Sequence, residues 1–177
     1  ATDVLLERLA DNVVLLARSC RLLTQATLST RRVTPAAEWL LDNFYLIEEQ
    51  IRTAQKHLPK GYSRELPRLA NGPSSGLPRV YDIALETICH GDGRVDAEEL
   101  RRFIAAYQTV SALKLGELWA IPIMLRLALI ENLRRMASHV MRDGAHRRLA
   151  STWARRLNRA AIDAPGDVVL IVADMAR

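Results

Sequence analysis

Residues 118–130 read LWAIPIMLRLALI, and the reading of this run decides the fold. A helix that crosses a bilayer needs roughly 20 predominantly apolar residues. Thirteen residues that include Arg126 fall well short of that, so the run is predicted to be a buried core helix. It lies within a longer helical pattern from about Glu117 to Ala161, read as one long or slightly bent helical pair, with a kink at Pro122 and a break at Asp143-Gly144 as its weak points. Outside it, Leu, Ala and Arg recur at helical intervals and β-branched runs are few. With 49% hydrophobic and only 5% aromatic residues, the 177-residue chain is predicted to be an all-α bundle of about six helices forming a single domain over 1–177.

Toward the N-terminus, Leu9, Val13, Leu16, Cys20 and Leu23 recur at steps of four and three, one face of a helix over about residues 3–23. The opening ATDVLLERLADNVV places acids where a secretory leader would be basic. A polar linker, TQATLSTRRV, is predicted over 24–33. Thr34-Pro35 then supplies an N-cap and a proline at the first helical position, and Leu40, Phe44, Ile47, Ile51 and Ala54 form a stripe that ends near His57. Residues 59–78 hold four prolines and three glycines, which predicts a long surface loop pinned by Leu66, Leu69 and Leu77, with a short helical piece around Arg64 to Leu69. A third helix is predicted from Pro78, with Tyr81, Ala84, Leu85 and Ile88 inward. A fourth starts at Asp96 and carries Leu100, Phe103, Ile104 and Tyr107. DAPG at 163–166 ends the long helical region, and the apolar tail over 164–177 reads equally as a helix, a strand or an edge.

Between the third and fourth helices, HGDGRVDAEE over 90–99 resembles half of a calcium loop. With Asp92 at loop position 5, Gly93, Val95, Asp96 and Glu99 take positions 6, 8, 9 and 12, but positions 1 and 3 fall on Ile88 and His90. Calcium requires six to eight oxygen ligands, so the stretch is read as a left-handed cap at Gly91, a turn at Asp92-Gly93 and an N-cap at Asp96, with no metal. His139, Asp143 and His146 share a helix face but sit among arginines, and are read as solvated. Adjacent Glu48 and Glu49 point in different directions. Cys20 and Cys89 each fall in an apolar stripe and are predicted to be buried free thiols of a reducing compartment. No G-x-x-x-x-G-K-[ST] or G-x-G-x-x-G loop is present to hold a nucleotide phosphate, and the residues name no catalytic group, cofactor or metal ligand.

The net charge of +5 is uneven. Residues 131–160 carry eight arginines against Glu131 and Asp143, whereas residues 1–130 are nearly balanced at 16 basic and 15 acidic side chains. Arg134, Arg135, Arg142, Arg147, Arg148, Arg155, Arg156 and Arg159 therefore form the candidate interaction surface. Its partner is read as an acidic patch on another domain or an anionic membrane surface. Nucleic acid fits poorly, since Trp153 is the main aromatic nearby and no reading-helix motif is present.

Four phrases, TPAAEWLLDNFYLIEEQIR, GYSRELPRLANGPSSGLPRVYDIA, DAEELRRFIAAYQTV and LGELWAIPIMLRLALIENLRRMA, resemble in order and spacing the N-terminal region of the bacterial cyclic β-1,2-glucan synthases. The resemblance runs from about Val33 to Ala137. It implies a piece of a very large, multi-spanning inner-membrane enzyme that uses UDP-glucose, and a position on the cytoplasmic side. The chain has no D-x-D pair for a metal-bound sugar nucleotide, so the resemblance carries no catalytic residue onto it. It implies a non-catalytic accessory region docking on other domains of the parent. The alternatives are a glucan-binding module with Trp39, Tyr45, Tyr62, Tyr81 and Trp119 as stacking platforms, or a basic helix on an anionic membrane.

Overall fold

A computed structural model describes residues 3–30 and 34–175. Among them, regular structure consists of α-helices and one short 3-10 turn, with no strand. The helices are α1 (Val4–Thr30), α2 (Pro35–Asp42), α3 (Phe44–His57), α4 (Tyr62–Glu65), α5 (Arg79–His90), α6 (Ala97–Val110), α7 (Leu115–Asp163) and, after the 3-10 turn Pro165–Asp167, α8 (Val168–Met175). The all-α prediction holds. No described helix is long and apolar enough to cross a membrane. The chain divides into two compact units, 1–137 and 138–177, and α7 runs unbroken through Pro122 and Asp143-Gly144.

In unit 1, α1 packs against α2 and α3, and its Leu5, Leu9, Leu16, Cys20 and Leu23 are all buried. Val13, placed on this stripe by its spacing, is only half-buried, and its neighbour Asn12 is buried in its stead. The linker predicted over 24–33 is instead helix as far as Thr30. Thr24 and Thr27 turn their hydroxyls back to donate to the carbonyls of Cys20 and Leu23, at 3.0 and 2.8 Å, so side chains that suggest a loop continue the helix. Residues 31–33 of that linker lie outside the described residues.

The Thr34-Pro35 start is as predicted, with Thr34 Oγ1 accepting the Ala37 N–H at 3.2 Å. The single helix predicted from there to His57 is two helices. Asn43 leaves helical geometry at φ −103°, ψ 8°, and its amide donates to the Trp39 carbonyl at 2.8 Å. Asn competes with the helix in this manner because its short amide reaches local backbone. The short helix in the 59–78 segment starts two residues earlier than predicted and ends at Glu65, and Gly61 before it has φ +88°, a left-handed conformation that favours glycine. Leu66 and Leu77 are buried, and the segment is closed by backbone bonds from Leu69 to Leu77 and from Gly76 to Leu69, at 3.0 and 2.8 Å.

The inward face of α5 is as predicted, with Tyr81, Ala84, Leu85 and Ile88 buried. The acidic turn after it differs in detail. Gly91 is not left-handed, at φ −87°; Asp92 and Gly93 are, at +49° and +80°. Gly91 is required for a different reason, since a Cβ there would stand 2.3 Å from the Arg94 carbonyl oxygen. Asp96 caps α6 by accepting the N–H groups of Glu98 and Glu99, both at 2.9 Å. α6 itself contributes no fully buried residue, so Phe103, predicted inward, is partly exposed. Both cysteines are free, but only Cys20 is buried. Cys89 is exposed, against the expectation, because it lies off the inward face of α5, where Arg135 Nη1 approaches its sulfur at 3.6 Å.

In unit 2 the tail is helical, and Ala160 is the one fully buried side chain among residues 138–175.

Candidate interaction surfaces

Three buried carboxylates hold unit 1 together. The buried face of α7 steps through Glu117, Ala120, Met124, Leu127 and Glu131, at intervals of three and four, so both acids are carried into the core on an apolar stripe. Glu131, 1% exposed, receives Arg8 in a two-point fork, Nε to Oε2 and Nη2 to Oε1, both at 2.6 Å. Tyr81 donates its hydroxyl to Oε2 at 2.7 Å, Arg135 Nη2 reaches Oε1 at 3.0 Å, and the Asn12 amide lies 3.5 Å from Oε2. The Arg8 guanidinium also lies over the Tyr81 ring, 5.9 Å from its centre. Burial alone would raise the Glu131 carboxyl, but the bonds from Arg8 and Tyr81, with the charges of Arg8 and Arg135, bring it down to about 2. Burial and the neighbouring carboxylate push the Tyr81 hydroxyl up. This carboxylate is ionised and engaged on both oxygens, an arrangement that joins α1, α5 and α7.

Glu117 repeats the arrangement near the start of α7. Arg79 donates Nε to Oε1 at 2.6 Å and Nη2 to Oε2 at 2.7 Å, and the Lys114 N–H adds 2.9 Å. The same guanidinium reaches Ser111 Oγ and the Ala112 carbonyl, at 2.7 and 2.8 Å, so one arginine orders the turn between α6 and α7. Asp3 accepts the Leu5 N–H at 3.2 Å at the start of α1, the Ser63 hydroxyl at 2.5 Å and the Gly61 N–H at 2.8 Å. Burial opposes ionisation at both Glu117 and Asp3, yet these donors hold both carboxyls below the usual range.

An apolar groove opens on the same unit, with a volume of about 640 Å³. Leu125, Leu129, Leu133 and Met136 of α7 line it, together with Trp39 and Val95. Trp39 is 55% exposed and Met136 54%. Arg126 also lines the groove and forms no ion pair among the described residues.

The structure divides the eight predicted arginines. Arg134 and Arg135 belong to unit 1 and are half-buried, with Arg134 donating to Asn12 at 3.1 Å and Arg135 to Glu131. Arg142, Arg147, Arg148, Arg155, Arg156 and Arg159 are exposed on unit 2. Of these, Arg142 contacts His139 at 3.2 Å, Arg155 Nη2 lies 3.4 Å from Thr152 Oγ1, and Arg156 stacks on Trp153 at 4.8 Å. His139, Asp143 and His146 are all exposed, and among the described residues no three His, Cys, Asp or Glu side chains converge as a metal site. Of the five aromatic platforms, Trp39, Tyr45 and Trp119 are 55, 63 and 77% exposed, whereas Tyr81 is buried and committed to Glu131. The Glu131 and Glu117 clamps were not legible as such, because their two-point arginines, Arg8 and Arg79, come from elements far away in the chain. The available signal was acids at core positions of the α7 stripe.

Buried carboxylate clamps inside a helical bundle, with an open apolar groove on the same unit, define an all-α bundle region. No protein-family model matches the chain. Over 127 residues, 72% of its length, it is 40% identical to the cyclic beta-(1,2)-glucan synthase NdvB of Rhizobium meliloti (strain 1021), and the match spans 4% of that protein. The chain is homologous to a region of a cyclic glucan synthase.

Proposed function

We propose that the chain is a non-catalytic docking region of a cyclic β-1,2-glucan synthase, and that unit 1 receives an amphipathic helix of the parent enzyme in its apolar groove. The parent's reaction, glucose transfer from UDP-glucose, and a place on the cytoplasmic side of the inner membrane belong to this proposal. The observation that carries it is the groove. A stripe of Leu125, Leu129, Leu133 and Met136 with an exposed Trp39 beside it matches the helix-in-groove mode, in which a partner supplies apolar anchors one and two turns apart. A carboxylate on that partner would complement Arg126. The great length of the homologue outside the matched 4% supplies ample chain from which such a helix can come.

In the full-length enzyme, Trp39→Ala with Met136→Asp is expected to loosen the partner helix by at least tenfold, as a tryptophan hot spot at an interface typically contributes about 2 kcal/mol or more. Crosslinking from the groove reads this directly. Unchanged crosslinking would overturn the groove's role, and UDP-glucose turnover by the 177-residue chain alone would overturn the non-catalytic reading.

Exposure of Trp39, Tyr45 and Trp119 supports a second reading, a surface on which glucan rings stack. Titration of β-1,2-glucan should then quench tryptophan fluorescence in the wild type and not in Trp39→Ala/Trp119→Ala. Absence of any change in the wild type removes this reading.

A further inference from the structure

Unit 2 carries a second feature, independent of the groove. Where α8 folds back beside the end of α7, a cleft of about 470 Å³ is lined by Arg155, Arg156 and Arg159, with Thr152, Asp163 and Ile171 among its other walls. Three guanidinium groups against one carboxylate leave it cationic. None of the three arginines forms an ion pair among the described residues, so their charge is uncompensated apart from Asp163 nearby. Arg156 is steadied by its stack on Trp153 at 4.8 Å, and Arg155 by Thr152 at 3.4 Å. Planar forks held this way bind phosphate oxygens in pairs.

The other wall of this cleft is a helix of unusual exposure. α8 reads VVLIVADM, and Val169, Leu170, Val172 and Met175 are 73, 68, 52 and 46% exposed. Apolar side chains gathered on one short helix at this exposure mark an interaction face. Nucleic acid would use the arginines and leave this face in water. A phospholipid bilayer uses both, because phosphate head groups lie directly above an apolar layer into which such a helix sinks.

We propose that unit 2 is a peripheral membrane-binding element: Arg155, Arg156 and Arg159 hold the phosphate of an anionic phospholipid in the cleft, and α8 lies in the interface with Val169, Leu170 and Val172 among the acyl chains. At roughly fivefold per juxtamembrane arginine, the three together account for roughly a 100-fold gain in affinity. Salt weakens the attraction, since the arginines are exposed.

The test is flotation of the 177-residue chain with vesicles of equal parts phosphatidylglycerol and phosphatidylcholine, against vesicles of phosphatidylcholine alone. The chain is expected to float with the first and remain behind with the second. Arg155→Gln/Arg156→Gln/Arg159→Gln should lose roughly 100-fold. Arg142→Gln/Arg147→Gln/Arg148→Gln removes the same charge from the same unit and should lose only a few-fold. Val169→Ser/Leu170→Ser/Val172→Ser should lose binding with the arginines intact. All substituted side chains are exposed or partly exposed, and circular dichroism of each variant separates lost binding from lost helix. Equal loss in the two arginine triples would reduce the cleft to diffuse charge and overturn it. Binding of soluble glycerol phosphate that matches vesicle binding and ignores the α8 substitutions would overturn the membrane assignment. So would tighter binding to a random DNA duplex at equal salt.

Discussion

At the residue scale, the carboxylates of unit 1 make sharp predictions. Glu131→Gln keeps the shape and removes the charge that Arg8 and Arg135 face. Removing one partner of a buried pair costs about 3–5 kcal/mol. Arg8 and Arg135 are 38 and 41% exposed, so water offsets part of their loss, and about 2–3 kcal/mol is expected in chemical unfolding of unit 1. The pH dependence has a definite sign. A carboxyl held at about 2 in the folded chain and at its ordinary 4.5 when unfolded contributes stability that is complete above 4.5 and disappears as pH falls toward 2. Glu117 and Asp3, also lowered, act in the same direction. Unfolding followed from pH 7 down to pH about 2 should therefore steepen below the ordinary carboxyl range, and less steeply in Glu131→Gln. Gly91→Ala offers a contrast: its backbone is ordinary, and the cost, about 1–3 kcal/mol of overpacking against the Arg94 carbonyl, arises from space alone.

At the element scale, helices that bury a stripe were legible and their interruptions were not. The α5 face was readable because Tyr81, Ala84, Leu85 and Ile88 recur at the helical period. The Asn43 break escaped because the apolar stripe continues across it. The false linker at 24–30 arose from threonines that look like loop residues until their hydroxyls are seen bonding back along the helix. Glu131 and Glu117 stand at core positions of the α7 stripe, but nothing local names Arg8, 123 residues away from the first, or Arg79, 38 residues away from the second. α6 is the opposite case, a helix correctly located by its Asp96 cap but burying nothing fully. Its persistence rests on the cap and on local propensity. Asp96→Ala should cost it about 1 kcal/mol, so amide exchange over 97–110 should rise about fivefold while the unfolding midpoint of unit 1 stays within error.

At the scale of the whole molecule, the two units differ in what they bury. Unit 1 has a continuous apolar core from α1, α3, α5 and α7 and three clamped carboxylates. Residues 138–175 bury Ala160 alone, which is too little apolar area to order a helical segment strongly in water. Hydrogen exchange should accordingly show strong protection within α1, α5 and residues 120–131 and weak protection across 145–163. Uniform protection over both units would contradict this reading. The arginine surface read from charge alone also resolves at this scale: two of its eight members serve the interior of unit 1, and six decorate unit 2.

The unequal settings of the two thiols give unit 1 a built-in chemical clock. Cys89 stands in solvent, whereas Cys20 is buried on α1 with its thiol pushed up to about 11 by burial and by Glu48. An aqueous alkylating reagent will cap the first at once and must wait for α1 to lift before it meets the second. With Cys89 blocked, the rate at which Cys20 is modified under native conditions counts how often the α1 packing opens, amid a protein that otherwise remains folded.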